Sequence, residues 1–159
     1  MALEIKVTAG KAEGATKIDA FDAALKEANI HNYNIIHLSS VIPENSVVEE
    51  EKPKPNINQI GHRLYAVLSE MRTDKKGKYA CAGLGWVQNE KGEGLFVEMQ
   101  GSSEKEVKDK IHKSLHSMID RRPDQKFKYE NIKSKIVSIK CKNKPVCALV
   151  CAVYKSEKW

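Results

Sequence analysis

The chain has 159 residues, of which 41% are hydrophobic and 30% are charged. This composition supports a domain with an apolar core and excludes a chain that is disordered throughout. The formal net charge of +6 favours an acidic partner. However, positive and negative residues are interspersed, and the 6% of aromatic residues offers no platform for stacking bases. We therefore expect no nucleic-acid partner.

No stretch approaches the roughly 18 apolar residues of a membrane-spanning helix, so we expect no membrane partner. The amino-terminal segment alternates like a strand and lacks the apolar core of a signal peptide, which favours a cytoplasmic location. The four cysteines, Cys81, Cys141, Cys147 and Cys151, form no CxxC motif. Cys147 and Cys151 would lie about 13 Å apart on one strand, too far for a disulfide. We expect four reduced thiols, mostly in the core.

The first part of the chain predicts a strand, a helix and a second strand. Residues 4–9 alternate as a strand, and residues 10–14 are interpreted as a loop. Thr16 can cap a helix, in which apolar residues recur at helical spacing: Ile18, Phe21, Ala24, Leu25 and Ala28. A strand follows at 34–39. Residues 44–59 carry four glutamates and two prolines and predict a long exposed connection.

Strands dominate the middle of the chain. Two Gly-containing hairpin turns join three predicted strands, at 64–71, 79–88 and 95–100. Another hairpin is predicted at the carboxyl end, between strands at 132–140 and 145–154. The chain therefore contains about seven predicted strands.

A long helix separates these two groups of strands. Ser102 or Ser103 caps it, and it runs to about Arg121 with one apolar stripe formed by Val107, Ile111, Leu115, Met118 and Ile119. Helices interspersed with strands in this order predict helices packed on sheet faces. We expect an α+β or layered α/β fold in a single domain over residues 1–159.

Two motifs that could carry chemistry have simpler explanations. His112 and His116 have the spacing of a zinc-protease helix but lack its glutamate, so we interpret them as partly exposed helix residues. Gly83 and Gly85 precede a strand instead of a helix, which predicts close packing on a sheet instead of phosphate binding. We predict no metal site.

The remaining motif is a strand that ends in two serines, Asn34-Ile-Ile-His-Leu-Ser-Ser-Val-Ile-Pro43. Paired serines alone usually mark only a strand end. The wider segment DAFDAALKEANIHNYNIIHLSSVIP, residues 19–43, resembles the pyruvoyl-dependent arginine decarboxylases in motif, order and spacing. GLFVEMQG at 94–101 and VCALVCAVYKSEKW at 146–159 resemble two further segments of that family. Pro43 is followed by Glu44, where many members carry a second proline.

The resemblance implies that the chain makes its own cofactor. The Ser40 hydroxyl would attack the carbonyl of Ser39 to give an ester, and elimination followed by hydrolysis would leave a covalent pyruvoyl group at residue 40. The chain would thereby be cut into 1–39 and 40–159. The implied reaction is decarboxylation of L-arginine to agmatine and CO₂.

The resemblance also implies roles for other residues. Asn34 would assist processing, Glu98 would be the general acid that protonates the substrate's α carbon, and Asp22 would bind the guanidinium group. Leu25 would line the site beside the aliphatic part of the substrate. The residues themselves leave simpler roles open: a strand cap for Asn34, an outward strand position for Glu98, an exposed helix position for Asp22 and core packing for Leu25.

The family further implies a four-layered α/β/β/α sandwich and a homotrimer, or a hexamer of two trimers, with sites between neighbouring subunits. Two alternatives stay open. The chain could be a pyruvoyl-dependent decarboxylase of another amino acid, or an uncleaved binding or scaffold protein on the same fold.

Overall fold

The computed structural model describes residues 2–159. This part of the chain forms two α-helices, α1 (Lys17–Glu27) and α2 (Glu104–Asp120). Its nine strands are β1 (Leu3–Glu13), β2 (Asn34–His37), β3 (Val41–Ile42), β4 (Ser46–Glu50), β5 (Arg63–Thr73), β6 (Tyr79–Gln88), β7 (Gly94–Gly101), β8 (Lys133–Lys140) and β9 (Val146–Glu157). Short 3-10 turns occupy Ile57–Gln59, Pro123–Gln125 and Tyr129–Asn131.

The strands form two sheets that pack face to face. The first sheet has the order β2-β5-β9-β1-β4, and the second has the order β3-β7-β6-β8. Helix α1 covers the outer face of the first sheet, and α2 covers the outer face of the second. The resulting order of layers is α/β/β/α, which confirms the predicted fold class.

Strand β9 lies at the centre of the first sheet and is buried on both faces. Cys147 and Leu149 pack toward α1, whereas Val150 and Ala152 pack toward the second sheet. A central strand that contacts a layer on each side has no solvated face, which explains its continuous apolar run. All four cysteines are free and buried, as predicted. Burial raises the pKa of the Cys151 thiol to about 12.

Both helices begin at the predicted caps. The Thr16 side chain accepts a hydrogen bond from the Asp19 amide at 3.1 Å, and Ser103 accepts one from the Glu106 amide at 3.1 Å. Of the two candidate serines, Ser103 is therefore the cap of α2. The 17 residues of α2 bury Val107, Ile111, Leu115 and Ile119 against the second sheet.

The two glycines of β6 allow α2 to lie directly on the sheet. A Cβ atom at Gly85 would lie 2.1 Å from Ile111 Cγ2, and one at Gly83 would lie 2.8 Å from Val107 Cγ1. The prediction that these glycines serve packing is confirmed. Within residues 2–159, neither helix has the length and apolar character needed to cross a membrane.

The structure corrects two predicted connections. The loop predicted at 10–14 is largely strand, because β1 continues to Glu13 and pairs with β9 up to Val146. The exposed connection predicted at 44–59 contains β4, which pairs in parallel with β1. Because β4 is an edge strand, it tolerates charged residues, and its glutamates interrupt the alternation of polar and apolar residues that would predict a strand. In addition, β2 ends at His37, two residues before the predicted end.

Candidate active site

The two serines lie where the chain crosses from the first sheet to the second. Strand β2 pairs with β5 in the first sheet, and β3 pairs with β7 in the second. The Leu38 amide donates to the Ala66 carbonyl at 3.0 Å, and the Ser40 carbonyl accepts from the Phe96 amide at 2.8 Å. The segment containing Ser39 and Ser40 is thus attached to one sheet before the serines and to the other sheet at Ser40.

Ser40 has a left-handed backbone conformation, with φ of 71°. A residue with a Cβ adopts this region at a cost of order 1–3 kcal/mol, unless its side chain can compensate locally. The hydrogen bonds on both sides of the crossing hold Ser40 there. Conformational strain is therefore concentrated at one side of the peptide bond between Ser39 and Ser40.

The hydroxyl of Ser40 donates a hydrogen bond to the Glu98 carboxylate. Successive side chains of β7 alternate between its faces: Leu95 and Val97 pack toward α2, and Phe96 packs into the layer between the sheets. Glu98 shares the face of Phe96 and is half-buried. The structure thus brings a hydroxyl and a carboxylate together at the edge of the inter-sheet layer, and the carboxylate can accept the hydroxyl proton.

Asn34 is not brought to Ser40 of the same chain. It begins β2, where its side-chain amide donates to the Gly61 carbonyl at 2.8 Å. Strand β2 alone separates Asn34 from His37 by about 10 Å. Trp159 Nε1 donates to the same Gly61 carbonyl at 2.8 Å. In one chain, Asn34 therefore ties β2 to the segment that precedes β5.

The two predicted substrate-binding residues lie on α1, on the outer face of the first sheet. Asp22 is exposed. Leu25 is only 9% exposed and packs in the core between α1 and the first sheet, in agreement with the simpler interpretation of this residue. Since Ser40 and Glu98 lie at the opposite, inter-sheet face, a single chain does not bring Asp22 to them.

Two aromatic residues beside the serines, Phe96 and Tyr154, belong to no motif that assigns them a role. Phe96 binds the Ser40 carbonyl through its amide, and the Tyr154 hydroxyl donates to the Val41 carbonyl at 2.9 Å. A tyrosine in a buried strand usually requires a partner for its hydroxyl. A tyrosine at this position therefore predicts that its hydroxyl has a hydrogen-bond partner. The tertiary structure alone identifies this partner, which lies 113 residues away in the chain.

The sequence matches one protein family over nearly its whole length. The match to "Pyruvoyl-dependent arginine decarboxylase (PvlArgDC)" covers residues 4–158. Proteins named pyruvoyl-dependent arginine decarboxylase in Thermococcus sibiricus and Pyrococcus furiosus are 35% and 37% identical to the chain over 147 and 146 residues. Each alignment covers 91% of this chain and 90% of the relative.

A relative with the same name in Halobacterium salinarum is 38% identical over 94 residues, and the alignment spans 59% of this chain. The chain covers 58% of the length of that relative, which is less than two thirds. The family match over residues 4–158 nevertheless takes in both serines, Glu98 and the helix that carries Asp22. The chain therefore belongs to the pyruvoyl-dependent arginine decarboxylases, a family of carboxy-lyases whose cofactor is a covalent pyruvoyl group.

Proposed function

We propose that this chain cuts itself between Ser39 and Ser40 and uses the resulting pyruvoyl group to decarboxylate L-arginine to agmatine and CO₂. The observation that carries the proposal is the hydrogen bond from the Ser40 hydroxyl to the Glu98 carboxylate, at a residue with left-handed φ. The names of the family and of its aligned relatives support arginine as the substrate.

Self-cleavage begins with the Ser40 hydroxyl as nucleophile. Glu98 takes the hydroxyl proton while Oγ attacks the Ser39 carbonyl carbon, so that a C–O bond forms. The C–N bond then breaks as Glu98 passes that proton to the leaving amine of residue 40. Loss of the Cα proton of residue 40 then expels the Ser39 carboxylate from Cβ. Hydrolysis of the resulting dehydroalanine releases ammonia and leaves pyruvoyl at the start of 40–159, with 1–39 as the second chain.

Strain at Ser40 assists the first step, provided that it is released in the transition state. A left-handed residue stores about 1–3 kcal/mol. Full release would accelerate the attack by roughly one to two orders of magnitude. The carboxylate of Glu98 adds to this effect because it accepts the proton in the same step.

The pyruvoyl group supplies a carbonyl that can withdraw electrons from the α carbon of an amino acid, which no unmodified side chain can do. Ser40 fits the precursor of this group, because its hydroxyl and its carbonyl are each held by one hydrogen bond. The Glu98 carboxyl remains beside residue 40 after cleavage. It can hold a proton at Oε1 and deliver it to the substrate's α carbon once CO₂ has left.

Recognition of the guanidinium group is assigned to Asp22, whose carboxylate can accept a planar pair of N–H donors. Asp22 lies on the opposite face of the first sheet from Ser40 of its own chain. We therefore propose that it serves the Ser40 of a neighbouring subunit in a homotrimer, or in a hexamer of two trimers. Ile18, one helical turn before Asp22, is 62% exposed and fits burial at such a contact.

Asn34 is also assigned to the neighbouring site, where its amide would assist processing. It is exposed at the start of an edge strand, as a residue at a subunit contact would be. Leu25 packs in the core and holds the α1 backbone that carries Asp22. At the neighbouring site it would line the wall beside the aliphatic part of the substrate.

The experiment that tests the substrate assignment is a decarboxylation screen of the purified protein with arginine, lysine, histidine and aspartate. Ser40→Ala is the matched control, because it lacks only the nucleophilic oxygen. We expect arginine to be preferred, with agmatine as the product, and no activity from the control. A preference for histidine or aspartate would overturn the arginine assignment and leave the pyruvoyl chemistry intact.

A further inference from the structure

Strand β3, which follows the reactive serine, is weakly attached to the second sheet. It has two residues and lies at the sheet edge, where it pairs only with β7. Because the Phe96 amide donates to the Ser40 carbonyl, Val41 and Leu95 form a non-hydrogen-bonded pair. The carbonyl of Val41 consequently points away from β7, toward the open edge.

The side chain of Tyr154 reaches that open edge from the first sheet. It lies on β9, and its hydroxyl donates to the Val41 carbonyl at 2.9 Å. Burial raises the pKa of Tyr154 above its ordinary value, so the hydroxyl remains a donor at neutral pH. The Ser40 carbonyl is thus bonded to the second sheet and the Val41 carbonyl to the first.

The same aromatic cluster holds Ser40 itself. The Tyr154 ring packs on Phe96 with 6.3 Å between ring centroids, and Phe96 packs on Trp86 at 6.0 Å. Phe96 is 1% exposed, and its amide binds the Ser40 carbonyl. Two hydrogen bonds from two packed aromatic residues therefore fix consecutive carbonyls, those of Ser40 and Val41.

We propose that Tyr154 is a positioning residue for residue 40. Its hydroxyl fixes the Val41 carbonyl, which keeps Ser40 in the left-handed conformation with its hydroxyl against Glu98 during self-cleavage. After the cut, residue 40 becomes a chain end one residue before a two-residue edge strand, and the same bond keeps that end in place. The inference rests on the proposed self-cleavage and assigns a role to a residue outside the set of Ser40, Glu98, Asn34 and Asp22.

This role predicts a separation between reactivity and stability. Val41 is 61% exposed, so water can satisfy its carbonyl when the tyrosine hydroxyl is removed. The core then loses little, because a phenylalanine ring at position 154 can still pack on Phe96. What is lost is the orientation of residue 40 relative to Glu98.

The test compares Tyr154→Phe with Tyr65→Phe as a matched control. Tyr65 is a partly buried tyrosine of the same sheet, and its hydroxyl makes a 3.4 Å contact with Glu157. The rate of self-cleavage is followed in freshly synthesised precursor, and kcat and KM for arginine are measured per pyruvoyl group. We expect Tyr154→Phe to lower the cleavage rate and kcat by about two- to tenfold, the range for one neutral hydrogen bond, with an unchanged KM. The control should match the wild type.

Two unnatural residues separate the hydrogen bond from the shape of the side chain. At position 154, 4-aminophenylalanine keeps a donor in the place of the hydroxyl, whereas 4-methylphenylalanine fills the same space without one. This pair also serves if Tyr154→Phe does not fold. The amino variant should cleave at nearly the wild-type rate and the methyl variant at the rate of Tyr154→Phe. Equal rates for the two variants would overturn the role of the hydroxyl.

Hydrogen exchange tests the inference separately from self-cleavage. In the uncut Ser40→Ala chain, removal of the Tyr154 hydroxyl should accelerate amide exchange in residues 39–42 and leave β6 unchanged. Unchanged exchange in 39–42 would overturn the inference even if the wild-type chain cuts itself. An uncut wild-type chain would instead refute the proposed function, and the exchange result would still decide whether Tyr154 orders this segment.

Discussion

At the scale of single residues, the reactivity proposed for Ser40 depends on its backbone conformation and on the carboxylate partner of its hydroxyl. The left-handed backbone stores strain at Ser40, and the Glu98 carboxylate accepts a hydrogen bond from the Ser40 hydroxyl. A serine in an ordinary extended strand would have neither feature. The pair of serines in the sequence therefore identifies the place of the proposed cleavage, whereas only the tertiary structure shows the backbone conformation and the carboxylate partner of Ser40.

Glu98→Gln tests the proton transfers assigned to this carboxylate. Glutamine keeps the size of the side chain but cannot accept or deliver a proton, so the fold should persist while turnover per pyruvoyl falls by roughly 10²–10⁴-fold. Self-cleavage should also slow. Glu90→Gln, at an exposed position in the turn that precedes β7, is the control. Wild-type turnover in Glu98→Gln would remove Glu98 from the mechanism.

The residues of the site differ in how far the sequence could predict them. Ser40 and Glu98 are 58 positions apart, and only family resemblance connected them before the structure was known. Helical periodicity correctly placed Leu25 on the apolar face of α1, which is why core packing was a sound alternative. Tyr154 could not be assigned, because its partner is a backbone carbonyl that carries no signature in the sequence.

At the scale of the elements, caps and apolar stripes predicted both helices well, because these signals are local. Two edge strands, β3 and β4, were not predicted. The five residues of β4, Ser-Val-Val-Glu-Glu, do not alternate between polar and apolar, so the pairing of β4 with β1 depends on the neighbouring strand and not on its own pattern. Strand β3 is too short for any periodicity to be visible.

The packing of α2 on β6 gives a prediction at this scale. A Cβ at Gly85 would overlap Ile111, so Gly85→Ala should lower the free energy of unfolding by about 1–3 kcal/mol through overpacking. The measurement is denaturant unfolding of the chain in the uncut Ser40→Ala background, where only one species is present. Combination with Ile111→Ala should cost less than the sum of the two single changes. Strict additivity would contradict direct contact between these positions.

At the scale of the whole molecule, the two sheets hold the two ends of the serine segment apart, and the first sheet separates α1 from the site. Periodicity alone predicted an α+β or layered arrangement. The order of the four layers came from the resemblance, because the sequence pattern does not state which faces meet. The placement of Asp22 remote from its own Ser40 is likewise a property of the fold.

Complementation tests whether the proposed site is shared between subunits. Asp22→Asn should lower kcat/KM for arginine by about tenfold or more, the effect of losing a charged hydrogen-bond partner, and should leave self-cleavage unchanged. Asp109→Asn, an exposed aspartate of α2, is the control. Co-expression of Asp22→Asn with the uncut Ser40→Ala chain should restore part of the activity with arginine. Activity no higher than that of Asp22→Asn alone would contradict a site shared between subunits.

The intact mass of the freshly purified wild-type protein tests the central claim most directly. Self-cleavage predicts two polypeptides, residues 1–39 and residues 40–159, with a pyruvoyl group in place of the serine at the start of the longer chain. The Ser40→Ala protein should give a single mass for the uncut chain. A wild-type preparation that decarboxylates arginine while its only mass is that of the uncut 159-residue chain would contradict the proposal.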